Sequence, residues 1–154
     1  MTGRGEVARL KARLDATFGR ISTVGTDLEV QSDFARFLCV LVSGYLEKAI
    51  QELATECCCR QSAPVIQRYA GTQLKNFQNP NRDRILRLVG AFDPSWRSKL
   101  EENYVEELEA CVSVVALRHQ IAHGESVSVS YDRIRDHYGR VQRIVNALAD
   151  LFVP

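Results

Sequence analysis

No apolar stretch in this chain is long enough to cross a bilayer. The longest run, Phe37-Leu38-Cys39-Val40-Leu41-Val42, falls far short of the roughly 20 residues that a spanning helix needs. No apolar core follows the charged N-terminus, so nothing there reads as a secretory signal. These absences predict a cytoplasmic protein with no membrane partner. The five cysteines include no Cys-x-x-C pair and no second cluster that would complete a zinc set. In Cys57-Cys58-Cys59, adjacent side chains leave a helix in different directions, which argues against one metal site. Free thiols are expected rather than a disulfide framework. Internal repeats, low-complexity tracts and any alternation long enough to build a sheet are missing too. The formal net charge is only +1, so bulk charge does not advertise a polyanionic partner.

The chain is nevertheless well supplied with core. Of 154 residues, 45% are hydrophobic and 25% charged, the balance of a soluble globular domain rather than a disordered chain. That length fits a single domain, 1–154, divided into an N-terminal helix and linker (1–25) and a core (28–154). Apolar residues recur at steps of three and four nearly throughout. Val7, Leu10, Leu14, Phe18 and Ile21 mark a first amphipathic helix, which Gly25-Thr26 ends. Phe34, Phe37, Leu38, Leu41, Tyr45, Ile50 and Leu53 mark a longer second helix. Ser32 or Asp33 is its candidate cap, and it should run to the cysteine triplet.

The middle is broken by turn chemistry. Ser62-Ala63-Pro64 starts a short helix that should end near Gly71. A polar loop follows from Lys75 to Asn81, and Asn79 or Asn81 caps the next helix. Asp93-Pro94 starts another, with Trp96 and Leu100 on one face. A long helix is expected across 102–123, with Val105, Leu108, Cys111 or Val112, Val115 and Ile121 or Ala122 as its buried stripe. Gly124 stands where a left-handed cap belongs. Ser130 caps a last helix whose stripe is Ile134, Tyr138, Val141, Val145, Leu148 and Leu151. The expected fold is all-α, a single-domain bundle of four main helices plus short ones.

Charge is distributed unevenly. Between positions 60 and 87 stand Arg60, Arg68, Lys75, Arg82, Arg84 and Arg87 against the single acid Asp83. Between 101 and 109 stand five glutamates and no base. A basic sector of this kind could collect phosphate backbone while the acidic one stays in solvent. Both could equally be solvated helix faces.

The segment with most chemistry in it is Arg118-His119-Gln120-Ile121-Ala122-His123-Gly124. A guanidinium presents a fixed fork to two phosphate oxygens, and an imidazole gives or takes a proton near neutral pH. RNA supplies its own nucleophile, the ribose 2′-hydroxyl, so Arg118 and His123 would suffice for metal-free cleavage. Two other readings stand beside this one. Arg and His near a helix C-terminus also cap carbonyls and complement the dipole. His119 and His123, four apart, could chelate a metal, but Gln120 replaces the glutamate of the zinc-protease pattern and only Glu125 offers a further donor.

The segment Leu117–Gly124 resembles the R-x4–6-H signature of HEPN domains. The stretch from Phe37 to Glu47, the loop Phe77-Gln78-Asn79-Pro80-Asn81 and the segment Gly90-Ala91-Phe92-Asp93-Pro94 resemble the RiboL-PSP branch, over roughly residues 30–150. The resemblance implies an all-α fold with the motif helix packed on the second long helix. It also implies a homodimer with two motifs meeting, and metal-independent endoribonuclease cleavage that leaves a cyclic phosphate, with no cofactor.

By that resemblance Arg118 and His123 take the catalytic positions. Glu47 takes the place of the acidic or polar residue that often supports the motif; otherwise it would be an ordinary exposed glutamate or a partner of Lys48 or Lys75. The position after the arginine is often Asn in the family and is His119 here, which puts His119 forward for a supporting or proton-sharing role. Lys75, Asn79, Asn81, Arg82 and Arg84 would guide RNA. The expected function is a toxin or defence ribonuclease restrained by an antitoxin or a neighbouring defence protein. Its alternative is a non-catalytic HEPN module for protein assembly or for binding nucleotide or RNA, using exposed apolar residues of the second helix.

Overall fold

A computed structural model describes residues 2–154. Every regular element among them is helical: α1 (Gly3–Phe18), a 3₁₀ turn (Gly19–Thr23), α2 (Leu28–Gln61), α3 (Pro64–Leu74), α4 (Arg82–Phe92), α5 (Pro94–Asn103), α6 (Val105–Ala122) and α7 (Tyr131–Phe152). None is long and apolar enough to cross a membrane. The four long helices α1, α2, α6 and α7 form the bundle, and α3, α4 and α5 cover one end.

Local chemistry explains most boundaries. Thr2 caps α1 by accepting from Gly5 N–H at 3.1 Å. Gly25 supplies the left-handed turn that ends the first unit (φ 81°). The cap of α2 is Asp27, which accepts from Glu29 N–H at 2.9 Å; Ser32 and Asp33 lie inside the helix, one turn later than a start. Asn81, Asp93 and Ser130 cap α4, α5 and α7 as their side-chain chemistry predicts. α3 runs on to Leu74, past Gly71. The helix expected across 102–123 breaks at Tyr104, so that α5 ends at Asn103 and α6 starts at Val105. Val105, beside the break, is 56% exposed; of Cys111 and Val112 it is Cys111 that is buried, and the buried residues of α6 are Leu108, Ala110, Cys111, Val114 and Leu117.

α2 is the spine. Its 34 residues span about 51 Å at 1.5 Å per residue, and α1, α3, α6 and α7 all pack on it. α1 is part of this core rather than an appendage to 28–154, since Val7, Leu14 and Phe18 join the same buried cluster. Tyr138 locks the layers: its ring stacks on Phe18 at 4.7 Å, meets Tyr45 edge-on at 6.0 Å, and its hydroxyl donates to Asp15 at 2.6 Å. Burial and the Asp15 carboxylate push the Tyr138 phenol well up. Arg4 closes the far end by donating to the Val153 carbonyl (2.7 Å), just past the end of α7, and to the Ala149 carbonyl (3.0 Å), which also accepts the capping Val153 N–H at 2.9 Å.

These ties set the directions. α1 is antiparallel to both α2 and α7, because Gly3 reaches Glu56 while Arg4 reaches Val153. α6 runs against α7, with Glu107 and Glu106 meeting Arg143 (3.0 Å) and Arg140 (3.6 Å). α6 is therefore also antiparallel to α2, and the Cys39 thiol facing the Val114 carbonyl at 3.8 Å fixes their register.

Candidate active site at the end of alpha 6

The Arg118–Gly124 segment forms the last turn and cap of α6. His123 is the capping residue, and its N–H still donates to the His119 carbonyl at 3.1 Å. Gly124 then turns left-handed (φ 72°). Its N–H donates to Ile121 O at 3.1 Å, and Glu125 N–H donates to Gln120 O at 3.0 Å. This is the Schellman arrangement, in which backbone donors satisfy the carbonyls at the helix end. The loop beyond is anchored by buried Val129 and by Arg36, which donates to Val127 O at 3.2 Å. Arg36 was not legible as a site residue in the sequence, because its partner is a backbone carbonyl 91 residues away.

Because the backbone caps itself, the motif side chains are free of that work. Arg118, His119 and His123 are all exposed. Among the described residues, none of the three makes a side-chain hydrogen bond or an ion pair. The imidazoles of His119 and His123 lie side by side, ring centroids 4.2 Å apart and planes tilted by 58°. No set of three His, Cys, Asp or Glu side chains suited to a metal occurs among the described residues, so no third donor joins this pair.

The other residues expected at the site lie elsewhere. Glu47 accepts from Asn79 N–H at 3.0 Å. From the Cys39–Val114 register, Arg118 lies level with about residue 35 of α2. Glu47 is then about 18 Å further along the helix axis, near the start of α6. Within one chain Glu47 does not orient Arg118; it braces a loop. Nor does it pair with Lys48, which bonds Glu52 at 2.9 Å.

The residues expected to guide RNA cluster around that loop, also at the end remote from Arg118. Asn81 spends its side chain on capping α4, and Arg84 donates to Gln78 O at 3.1 Å. Asn79 takes a left-handed conformation (φ 53°) that asparagine tolerates. Arg82 lies 3.9 Å from Asp83. Lys75 is exposed at the end of α3. The acidic sector is not simply solvated, since Glu101, Glu106 and Glu107 pair with Arg97, Arg140 and Arg143.

All five cysteines are free thiols, and the triplet points three ways: Cys57 buried, Cys58 half-buried, Cys59 exposed. Burial pushes Cys39 up to about 11 and Cys111 up to about 12.

A motif helix ending in Arg-x4-His, laid antiparallel on a longer spine helix within an all-α bundle, is the architecture that the HEPN resemblance implies. The RiboL-PSP-HEPN family model matches residues 7–153, and the chain belongs to that family. No curated protein and no solved structure matches it. Membership supports a nuclease or RNA-related module.

Proposed function

We propose that this chain is a metal-independent endoribonuclease of toxin or defence type, with Arg118 and His123 as its catalytic pair. Arg118 would hold the scissile phosphate through two guanidinium N–H groups. His123 would take the proton from the ribose 2′-hydroxyl as that oxygen attacks the adjacent phosphorus. The 5′-oxygen leaves and receives a proton, so the products are a 2′,3′-cyclic phosphate and a 5′-hydroxyl end. His119, whose ring lies beside that of His123, would share this proton traffic. A second copy of the chain would bring a second Arg-His motif alongside the first, and a partner protein would restrain the enzyme.

The observation that carries the reading is the unused state of these side chains. Capping would give Arg118, His119 and His123 a structural reason to stand where they do, but backbone N–H groups of Gly124 and Glu125 already satisfy the carbonyls of Ile121 and Gln120. Three exposed, unpartnered cationic or titratable groups at one helix end suit a phosphodiester better than they suit the fold. The test is cleavage of total RNA in the presence of EDTA. Wild-type protein should cut, and folded Arg118→Ala and His123→Ala should not; equal cleavage by both variants overturns the assignment.

The non-catalytic reading has one observation of its own. α2 carries Phe37 (51% exposed), Val30 and Val40 on its outer surface, with the Phe34 ring 6.4 Å from that of Phe37. An exposed apolar strip of this kind suits assembly. An inactive protein whose partner binding is lost in Phe37→Asp would favour that reading.

A further inference from the structure

Within one chain Glu47 bonds the loop rather than the motif, and that contact has its own consequence. The loop 75–81 is braced from several sides. Glu47 accepts from Asn79 N–H, Gln51 donates to Phe77 O at 2.8 Å, Arg84 donates to Gln78 O, and Pro80 is buried. Phe77, half-buried against the core, lines an open cleft of about 270 Å³ together with Leu88, Ala91, Arg84 and Arg87. Arg84 and Arg87, both exposed, stand three apart on α4 and so come from neighbouring turns on one side of the cleft. Arg87 is exposed and has no carboxylate or carbonyl partner among the described residues. The only acid between positions 60 and 87 is Asp83, and it lies beside Arg82.

We propose that this cleft is a nucleotide subsite for single-stranded RNA: a base stacks on Phe77, and its flanking phosphate is held by Arg87 together with the free N–H groups of Arg84. Each part has a chemical reason. An aromatic face accepts any unpaired base, whereas a base within a duplex cannot reach it. A guanidinium fork matches phosphate oxygens. The braced loop presents the ring already ordered, so little conformational entropy is lost on binding. Two arginines and no acid among the residues that line the cleft, with an aromatic side chain beside them, favour RNA over an acidic peptide. The peptide would satisfy the arginines and leave Phe77 without a stacking partner. The cleft lies beside the loop, remote from Arg118 along α2, so it is a binding subsite and takes no part in the chemistry. The proposal rests on the ribonuclease reading for its biological sense, but not for its test.

The experiment uses the full chain carrying Arg118→Ala, so that no cleavage confuses binding. The probe is a fluorescein-labelled single-stranded RNA of mixed sequence, about 12 nucleotides long, followed by anisotropy. Arg87→Glu should weaken binding about tenfold or more, and Arg87→Ala should flatten the salt dependence by about 0.7 in log–log slope, the loss of one phosphate contact on a single strand. Phe77→Tyr should bind as well as the parent, while Phe77→Leu, which keeps the loop packed, should bind severalfold more weakly. A duplex of the same sequence should not respond to the Phe77 change. Unchanged binding in Arg87→Glu overturns the proposal. So does an acidic peptide that displaces the RNA and binds in an Arg87-dependent way more tightly than the RNA does. If Arg87→Glu loses RNA binding but the wild-type protein never cleaves RNA, the subsite stands and the ribonuclease reading falls.

Discussion

The ring centroids of His119 and His123 lie 4.2 Å apart on the exposed last turn of α6, with no other side chain bonded to either among the described residues. Two imidazoles at that distance can divide the taking and giving of a proton between them. The cleavage reading assigns the main share to His123, because His123 and not His119 completes the Arg-x4-His spacing. His123→Ala and Arg118→Ala should each lower the rate about a hundredfold to ten-thousandfold, whereas His119→Ala should lower it about tenfold. All three positions are exposed, so thermal unfolding should move by no more than about 0.5 kcal/mol. Single-turnover cleavage of one RNA by the three variants checks the order. A His119→Ala defect larger than that of His123→Ala reverses the roles.

Gly124 holds the geometry of that pair. At φ 72° it takes a conformation that costs an L residue about 1–2 kcal/mol, although a Cβ there would meet no neighbouring atom. Gly124→Ala should destabilise the chain by about 1 kcal/mol, read by urea unfolding, and should lower cleavage by disturbing the cap that places His123. Gly124→Asn should recover part of the stability, since asparagine tolerates the left-handed region.

Glu47 separates two roles cleanly. Its carboxylate receives the Asn79 N–H, so Glu47→Ala leaves a half-buried donor unpaired and should cost about 1–2 kcal/mol of stability. The single-turnover rate at saturating RNA should be unchanged. A fall in that rate without a fall in stability would mean that Glu47 reaches the motif of a second copy.

His137 predicts an acid-side loss of stability. Both of its ring nitrogens are buried without a hydrogen-bond partner. Burial pulls its pKa below the ordinary 6.5, Arg133 adds to the shift, Asp136 opposes it, and Arg140 adds a smaller lowering. Glu106, on the facing helix, is engaged with Arg140. The unfolded chain then binds a proton on this ring at a higher pH than the folded chain does. Stability is full above about 6.5 and falls as the pH drops from there to the lower folded value. Denaturant midpoints measured between about pH 7.5 and 5 should show this slope, and His137→Leu should flatten it. An identical slope in the variant would mean that other groups carry it.

The helices themselves were largely readable from residue order. Val7, Leu14 and Phe18, or Ile134, Tyr138, Val141 and Val145, recur at helical spacing, and Asn81, Asp93, Gly124 and Ser130 end or start elements by local bonds to their own neighbours. The misplaced boundaries have equally local causes. Asp27 captures the start of α2 by accepting from two backbone N–H groups, about two turns ahead of Phe34, where the buried apolar stripe begins. The break at Tyr104, whose φ and ψ (−129° and 39°) are not helical, splits a segment that periodicity alone joins.

The Arg118-His123 spacing and the cap that follows it were thus determined by the sequence alone, because a helix end is built from groups within a few residues of one another. Which side chains were left free, and which carboxylate stood near which motif, depended on contacts made across the bundle. Glu47 and Arg118 are 71 positions apart, and only the antiparallel register of α2 and α6 puts them at opposite ends of the helix pair. The same packing brings Glu47 and Gln51 under the Phe77 loop. Residue type and spacing carry local geometry; the partner of a side chain a bundle-length away is chosen by how the helices lie together.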